Sequence, residues 1–253
     1  KTLKGLEGDF IMKKTTLGTW ITAYNPSALD VISKCNFDWI CIDMEHSSIT
    51  LEQLENLLNV LDKNKSNSFV RVSDNDKTEI KKVLDLGAKG IIVPMVNTAI
   101  QAKNAISYAT YPPKGQRGFA LARAQGYGYD LKNYEKISRN IKIVIQIETI
   151  QGINNLDEIL KVKGLHATLI GPRDLSGSIG KAGDFKNKKF LNALEKYEKL
   201  SKKNKISMGI HVAYPEINTV NQFIRKGYKF VAMGTDMTFL GNTCREKLSK
   251  IKK

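Results

Sequence analysis

Short apolar runs alternate with longer amphipathic segments along almost the whole chain. The apolar runs predict strands over residues 17–22, 39–43, 69–72, 90–93, 143–147, 167–170, 207–212 and 230–233. The segments between them place apolar residues three or four positions apart, which predicts helices over residues 27–35, 51–61, 78–86, 98–108, 154–160, 190–202 and 216–225. Regular alternation of strand and helix is typical of right-handed βα units that build a parallel sheet.

Eight such units favour closure of the sheet into a (β/α)8 TIM barrel, an α/β fold. A chain of 253 residues is long enough for one barrel domain. Met12 is a plausible natural start, so we expect a single domain over 12–253 and an N-terminal extension over 1–11. Helix signals agree with this reading, since Asn25 and Pro26 begin one predicted helix, and Gly87 and Gly227 follow the ends of two others.

The segment 111–133 departs from this regular pattern. It holds two consecutive prolines and four glycines, and it is long for a connection in a compact domain. Loops of this length are often functional. Two interpretations remain open: the segment passes back over the catalytic end of the barrel, or it is a decorated connection between a helix and the next strand.

Carboxylates and an imidazole follow three of the predicted strands. Glu45 and His46 come after residues 39–43, Glu148 after 143–147, and Asp174 after 167–170. Active sites of parallel barrels lie at the carboxyl ends of the strands, where carboxylates from neighbouring strands can share one hard divalent cation. We therefore predict a metal site at Glu148 and Asp174 that leaves coordination positions open for a substrate. The alternative is that each carboxylate caps the helix that follows it.

Other residues near the strand ends suit acid–base chemistry or anion binding. His46 is placed for a general base with a pKa near neutrality. Arg71 is a charge inside a short apolar strand, so it should contact an anion or pair with a carboxylate. His211 could line the pocket, whereas His166 precedes a strand and receives no role. The segment 171–177 could present backbone N–H groups to an anion.

The formal net charge is +15, but the lysines are spread over helical segments such as 188–205 and over 247–253. We interpret them as a solvated surface rather than a nucleic-acid site. No apolar run is long enough to span a membrane. The three cysteines, Cys35, Cys41 and Cys244, show no metal-binding spacing and cannot all pair, so a cytoplasmic location is expected.

Six motifs, in order along the chain, resemble those of the HpcH/HpaI aldolase family of class II pyruvate aldolases. The similarity extends from about residue 17 to residue 238. The motifs are DMEH at 43–46, VRV at 70–72, PMVNTA at 94–99, YPPKGQRG at 111–118, QIET at 146–149 and GPRDLS at 171–176.

The resemblance implies a barrel of the phosphoenolpyruvate/pyruvate type and a class II aldehyde-lyase. Such an enzyme cleaves a 4-hydroxy-2-oxo acid, of the 2-keto-3-deoxy sugar acid type, to pyruvate and an aldehyde through a metal-bound pyruvate enolate. The roles that the resemblance implies are metal ligation by Glu148 and Asp174 with Mg²⁺, Mn²⁺ or Co²⁺, acid–base catalysis by His46 with Asp85, contact with the keto oxygen by Arg71, and substrate binding by Gln146, Pro172, Arg173 and Asp174.

The resemblance also implies a homo-oligomer, by family a hexamer, in which Asp85 partners His46 across a subunit contact. Two departures from the family pattern are Arg173, where members often have a small residue, and Asn97, where an acidic residue is common. Two alternatives remain open for Arg173: it contacts a second acidic group on the substrate, or it points to solvent. The alternative functions are a related barrel lyase acting on an acyl-CoA or phosphoenolpyruvate-type substrate, and a non-catalytic basic protein that binds RNA or another polyanion.

Overall fold

A computed structural model describes residues 12–251, so the predicted extension over 1–11 lies outside the described residues. Eight parallel strands form a closed barrel in chain order, each hydrogen-bonded to the next and the last to the first. This confirms the predicted (β/α)8 barrel. The strands are β1 Thr16–Ile21, β2 Trp39–Asp43, β3 Ser68–Arg71, β4 Gly90–Val93, β5 Lys142–Ile147, β6 Ala167–Ile170, β7 Met208–Val212 and β8 Phe230–Thr235.

Helices surround the barrel. They are α1 Pro26–Ser33, α2 Leu51–Lys63, α3 Lys77–Asp85, α4 Ala99–Ala109, α5 Leu131–Ile137, α6 Ile150–Asn154, α7 Leu156–Ile159, α8 Pro172–Ser178, α9 Lys188–Lys203, α10 Ile217–Lys226 and α11 Asp236–Ser249. The apolar pattern did not predict α5, α6, α8 or α11. The first three are too short to show a helical period, and α11 leaves Met237, Leu240 and Leu248 exposed instead of burying an apolar stripe.

Local sequence signals explain several helix ends. The Asn25 side chain accepts a hydrogen bond from the backbone N–H of Ala28, and Pro26 is the first residue of α1. Gly227 ends α10 with a φ of 95°, a left-handed conformation that glycine adopts without a steric penalty. Gly227 thereby ends α10 three residues before β8 begins at Phe230.

Aromatic side chains fill the barrel interior at the amino ends of the strands. The ring of Trp39 stacks on that of Phe230 with centroids 4.1 Å apart, and Phe69 meets Phe230 edge-on at 5.3 Å. A Cβ atom on Gly18 would lie 2.0 Å from the Trp39 ring, so glycine is required there for the rings to fit. The barrel interior is consequently a packed core at its amino end.

The proline- and glycine-rich segment lies at the amino end of the barrel within this chain. It contains a 3₁₀ helix over Arg123–Gly128, and the Arg123 guanidinium donates to the backbone oxygen of Leu86, just beyond the end of α3. The second of the two interpretations, a decorated connection between α4 and β5, is therefore confirmed. Over residues 12–251, no helix has both the length and the apolar character that crossing a bilayer requires.

Candidate active site

One layer of inward-facing side chains closes the carboxyl end of the barrel interior. It takes one residue from each odd-numbered strand: Trp20, Arg71, Gln146 and His211. The pairing registers around the barrel, with the one-residue stagger per strand usual for this fold, bring these four residues to the same height. We call them the floor of the site. Beneath the floor lies an apolar layer from the even-numbered strands, formed by Cys41, Ile92, Leu169 and Ala232.

Three of the four floor residues have buried polar atoms with no hydrogen-bond partner among the described residues. These atoms are Nε1 of Trp20, Oε1 of Gln146 and Nε2 of His211. Buried polar groups are nearly always hydrogen-bonded in folded proteins, because leaving one unsatisfied is costly. Unpaired groups that converge in one layer therefore indicate where a polar ligand or ordered water binds.

The fourth floor residue, Arg71, is held in place by Asp43 at the end of β2. Nε of Arg71 donates to Oδ1 of Asp43 at 2.8 Å, and Nη2 donates to Oδ2 at 2.6 Å. The guanidinium also lies over the Trp20 ring, 4.5 Å from its centroid. The prediction that Arg71 pairs with a carboxylate or an anion is confirmed. Asp43 was not among the predicted site residues, although an aspartate that ends an apolar strand next to an arginine-containing strand is a usable signal.

Glu45 lies between Arg71 and His46. Its Oε2 is 3.0 Å from Nη1 of Arg71 and 3.7 Å from Nε2 of His46. The contact with Arg71 is an ion pair without hydrogen-bond alignment, since Oε2 has no hydrogen-bond partner within residues 12–251. Burial raises the pKa of Glu45 to about 6, with Arg71 opposing the shift. The His46 side chain is 67% exposed, so it can meet a substrate that enters from solvent.

Glu148 follows β5 and points into the site with both carboxylate oxygens bonded. Nε2 of Gln146 donates to Oε1 at 2.8 Å, and the backbone N–H of Met95 donates to Oε2 at 2.9 Å. Met95 takes a φ of 53°, which is unusual for a non-glycine residue. Burial raises the pKa of Glu148 to about 7, and the nearby charges of Asp174 and Glu45 add to the shift.

Asp174 is exposed in the first turn of α8, three residues after Gly171. The capping alternative is wrong for both predicted metal ligands. The residue that precedes α8 is Gly171, and the capping side chain of α6 is Thr149, which accepts from the N–H of Gly152. Both carboxylates are thus left for another role.

The residues at this end of the barrel fit a divalent cation. A Cβ atom on Gly171 would lie 2.6 Å from Oε1 of Glu148, so the chain leaves room for this carboxylate and for little else. Burial, with the nearby charges of Asp174 and Glu45, raises the pKa of Glu148, and a cation bound beside this carboxylate would oppose that shift. Within the described part of the chain, no three His, Cys, Asp or Glu side chains assemble into a complete metal-binding group. The predicted set is Glu148 and Asp174, two hard oxygen ligands.

Some predicted residues are not brought to this site within one chain. Asp85 is the last residue of α3, at the amino end of the barrel, and its Oδ1 accepts from Nη2 of Arg117 at 2.7 Å. Its partnership with His46 across a subunit contact remains a prediction. Arg173 is exposed beside Asp174, and Pro172 opens α8, so both lie at the rim. Sequence reasoning missed Trp20, and only the register of the closed barrel shows that it shares a layer with Arg71.

Comparison with known proteins agrees with this geometry. A family model described as HpcH/HpaI aldolase/citrate lyase matches residues 16–243. The chain belongs to this family. It is accordingly a lyase of the aldolase type, and the family resemblance drawn from the six motifs is confirmed.

Relatives with this family's fold match nearly the whole chain. The chain is 34% identical to the 2-dehydro-3,6-dideoxy-6-sulfogluconate aldolase of Pseudomonas putida, over 93% of this chain and 92% of that protein. It is 30% identical to a 2-keto-3-deoxy-L-rhamnonate aldolase of Escherichia coli, over 93% and 88%. A solved HpcH/HpaI family structure from Burkholderia cenocepacia matches with a TM-score of 0.91 at 24% identity, covering 98% of this chain and 96% of that one, which shows the shared fold.

Proposed function

We propose that this chain is a metal-dependent, class II aldehyde-lyase that cleaves a 4-hydroxy-2-oxo acid to pyruvate and an aldehyde. One observation carries the proposal: the carboxylates of Glu148 and Asp174 lie beside a barrel floor in which Arg71 is locked by Asp43. The names of two aldolase relatives support a substrate of the 2-keto-3-deoxy sugar acid type.

Glu148 and Asp174 would hold the divalent cation, which we expect to be Mg²⁺, Mn²⁺ or Co²⁺. When bound, such a cation supplies Lewis-acid stabilisation of negative charge that develops on the substrate. Gln146 orients Glu148 through its hydrogen bond to Oε1, and Met95 orients the other oxygen. The protein thus holds one ligand rigidly and leaves the other, Asp174, exposed to the entering substrate.

Arg71 would contact the keto oxygen of the substrate. Bond cleavage between C3 and C4 leaves an electron pair that spreads to this oxygen, so a fixed cation beside it stabilises the transition state more than the ground state. Because Asp43 and Trp20 already hold the guanidinium, little reorganisation is needed when the charge appears. The side chain of Arg173, at the rim, would contact a second acidic group of the substrate.

His46 would act as the base. It takes the proton of the C4 hydroxyl, the C4–O bond becomes the carbonyl of the aldehyde, and the C3–C4 bond breaks. C3 then gains a proton, which completes pyruvate. Glu45, with Oε2 3.7 Å from Nε2 of His46, would stabilise the positive charge that the imidazole gains.

We also propose that the chain forms a homo-oligomer, a hexamer by family resemblance. Asp85 ends α3 at the amino end of the barrel, whereas His46 lies at the carboxyl end. The predicted Asp85–His46 pair therefore requires a second copy of the chain. Light scattering on the purified protein, at concentrations above and below those of the activity assay, measures the oligomeric state.

The family description also includes citrate lyase, which supports a second candidate function, a lyase acting on an acyl-CoA substrate. Turnover of a CoA thioester without exchange of the pyruvate methyl group would favour that candidate. The same pair of assays therefore separates the two functions.

Exchange of the pyruvate methyl protons in heavy water tests the proposal, because it requires enolate formation but no knowledge of the aldehyde. We expect ¹H NMR to show exchange with enzyme and Mg²⁺, and loss of exchange with a chelator. The Asp174→Asn variant should lose exchange even with added Mg²⁺. Absence of exchange by the folded wild-type enzyme at saturating Mg²⁺ would refute pyruvate enolate chemistry.

A further inference from the structure

The loop between β4 and α4 continues along β5 and brings a backbone N–H to the predicted metal ligand Glu148. The N–H of Val96 donates to the backbone oxygen of Gln146 at 3.1 Å, so the loop pairs with β5 beyond the end of β4. One residue earlier, the N–H of Met95 donates to Oε2 of Glu148 at 2.9 Å. The direction of this N–H therefore helps to fix the position of Oε2.

Met95 has a backbone conformation that needs outside support. Its φ of 53° lies in the left-handed region, where the Cβ atom of any residue other than glycine is crowded by the backbone. Such a conformation persists only where surrounding contacts hold it. Met95 is 45% exposed, so its restraint comes mainly from hydrogen bonds and not from side-chain packing. The contacts that hold Met95 consequently also hold Glu148.

The side-chain amide of Asn97 supplies this restraint from both of its ends. Nδ2 donates to the backbone oxygen of Met95 at 3.1 Å, and Oδ1 accepts from the hydroxyl of Thr149. That hydroxyl also accepts the N–H of Gly152 at 3.0 Å, which leaves its own hydrogen for Asn97. Since Thr149 directly follows Glu148, the amide joins Met95 to the residue next to the carboxylate that Met95 contacts.

The backbone of Asn97 is held as well, so the amide is attached to a fixed point. The N–H of Asn97 donates to Oε1 of Gln101 at 2.8 Å, and its carbonyl accepts from Nδ2 of Asn155 at 2.8 Å. Position 97 is also one of the two departures from the family pattern. A carboxylate there could accept from Thr149, but it has no N–H for the carbonyl of Met95. The bridge thus depends on the amide of this chain.

We infer that Asn97 is a positioning residue for Glu148: its amide holds Met95 in the left-handed conformation that directs the N–H at Oε2, and this raises the affinity of the site for a divalent cation. The inference rests on the proposed function, in which Glu148 is a metal ligand. Residues that orient a metal ligand by hydrogen bonds typically change metal affinity by about tenfold or more when they are removed. In this role Asn97 contacts neither the cation nor the substrate.

The competing explanation is that Asn97 only joins the loop to the start of α6. In that case Asn97→Ala lowers the melting temperature of the metal-free protein and leaves its Mn²⁺ affinity unchanged. Glycine at position 95 separates the two explanations, because glycine takes a positive φ without steric cost and needs no amide to hold it there. Met95→Gly should therefore raise Mn²⁺ affinity when the amide is missing and change it little when the amide is present.

Calorimetric titration of the full chain with Mn²⁺ tests the inference. In Asn97→Ala the affinity should fall about tenfold, because the N–H of Met95 is no longer held towards Glu148. The double variant Asn97→Ala with Met95→Gly should return to within about twofold of the wild type, and Met95→Gly alone should stay within the same range. Asn75→Ala is the matched control. It removes an amide whose Nδ2 donates to the backbone oxygen of Gln101 at 2.9 Å, and it should leave the affinity unchanged.

Three results would overturn the inference while the proposed function stands: an unchanged Mn²⁺ affinity in Asn97→Ala, a loss that Met95→Gly does not reverse, or an equal loss in Asn75→Ala. If the wild-type protein does not bind Mn²⁺, the metal assignment of the proposed function fails and the inference fails with it. Circular dichroism checks the fold of each variant. If Asn97→Ala does not fold, Asn97→Asp replaces it, with and without Met95→Gly. Both members of that pair carry the same added charge, so a higher affinity with glycine supports the inference and an equal affinity overturns it.

Discussion

Arg71 and Asp43 are joined by two hydrogen bonds, with N–O distances of 2.8 and 2.6 Å, between the last residues of two neighbouring strands. The Asp43 side chain is 2% exposed and that of Arg71 12%. A bidentate pair of this kind fixes both the position and the plane of the guanidinium. In the proposed reaction, Asp43 would thereby orient the guanidinium that contacts the substrate.

Asp43→Asn should lower kcat/KM for aldol cleavage by about 100-fold, because an amide accepts only one of the two hydrogen bonds and leaves Arg71 less firmly placed. The effect should fall mainly on kcat, since orientation matters most in the transition state. Asp62→Asn is the matched control. It removes an ion pair at the amino end of the barrel, in which Oδ2 of Asp62 lies 2.8 Å from Nη2 of Arg123. Equal losses in the two variants would contradict an orienting role for Asp43.

Removal of either predicted metal ligand should abolish activity and leave the fold intact. Glu148→Ala and Asp174→Ala each delete one of the two predicted ligands of the cation, so Mg²⁺ or Mn²⁺ affinity measured by calorimetry should fall with activity. Asp184→Ala removes an exposed carboxylate in the loop after α8 and serves as the control. Full activity in either ligand variant would rule out the metal assignment.

Gly171→Ala should impair metal binding although it adds only one methyl group. The added Cβ atom would lie 2.6 Å from Oε1 of Glu148, and this carboxylate is held on its other side by Gln146 and Met95. Displacement of Glu148 should lower Mn²⁺ affinity by about tenfold or more. Gly118→Ala is the control, because nothing lies within 4 Å of the Cβ position there. Unaltered Mn²⁺ affinity in Gly171→Ala would show that Glu148 is not a ligand in this position.

Glu148→Gln should stabilise the metal-free protein at pH 8 and not at pH 4. The pKa of Glu148 is raised to about 7 in the fold, mainly by burial, so the folded state holds a proton that the unfolded chain releases at lower pH. The stability of the wild-type protein consequently falls as the pH rises from about 4.5 to about 7, by on the order of 3 kcal/mol. The glutamine introduced at position 148 has no charge to bury and so avoids this cost. If the Gln146 amide rotates, the side-chain N–H of the new glutamine can donate to Oε1 of Gln146, which has no partner in the wild-type protein within the described residues.

Thermal melts of both proteins between pH 4 and pH 8, in the presence of a chelator, measure this difference. His211 has the opposite linkage, since its pKa is lowered to about 4 and its contribution to stability rises with pH up to about 6.5. Because both proteins contain His211, its effect cancels in the comparison. A constant difference in melting temperature across the range would show that Glu148 does not titrate as described.

Arg173→Ala should raise KM selectively for substrates whose aldehyde half carries a second acidic group. The Arg173 side chain is exposed at the start of α8, immediately before the predicted metal ligand Asp174. An exposed cation at the rim attracts a distal anion more than it affects the chemistry at C3. Lys181→Ala, in the loop after α8, controls for the loss of general positive charge. The same ranking of acidic and neutral substrates in Arg173→Ala as in the wild type would refute this role.

The strands and most of the helices could be predicted because their apolar spacing is set by local geometry. All eight predicted strands are present, with ends displaced by only one or two residues. Helices such as α8 were not predicted because its seven residues, Pro172–Ser178, are too few to show a helical period. Sequence spacing alone also made Asp174 a plausible helix cap. The helix in fact begins at Pro172, so Asp174 lies in its first turn.

The site was only partly predictable for a different reason. Arg71 and Glu148 were predicted from charges within or next to apolar runs, and Gln146 from the family resemblance, and the structure brings all three to one end of the barrel. That Trp20 and His211 share their layer depends on the register of eight strands around a closed barrel, which sequence spacing does not contain. Asp85 could not be placed at the site because its predicted partnership lies between copies of the chain.

The aromatic packing of Trp39, Phe69 and Phe230 also limits the route by which substrates enter and products leave. Among the described residues, these rings fill the barrel axis at its amino end, so we expect the substrate and both products to pass through the carboxyl end. In the proposed reaction the 2-oxo acid rests on the floor and the aldehyde lies above it, towards solvent. In that arrangement the aldehyde would leave first, and in the synthetic direction the 2-oxo acid would enter before its aldehyde partner.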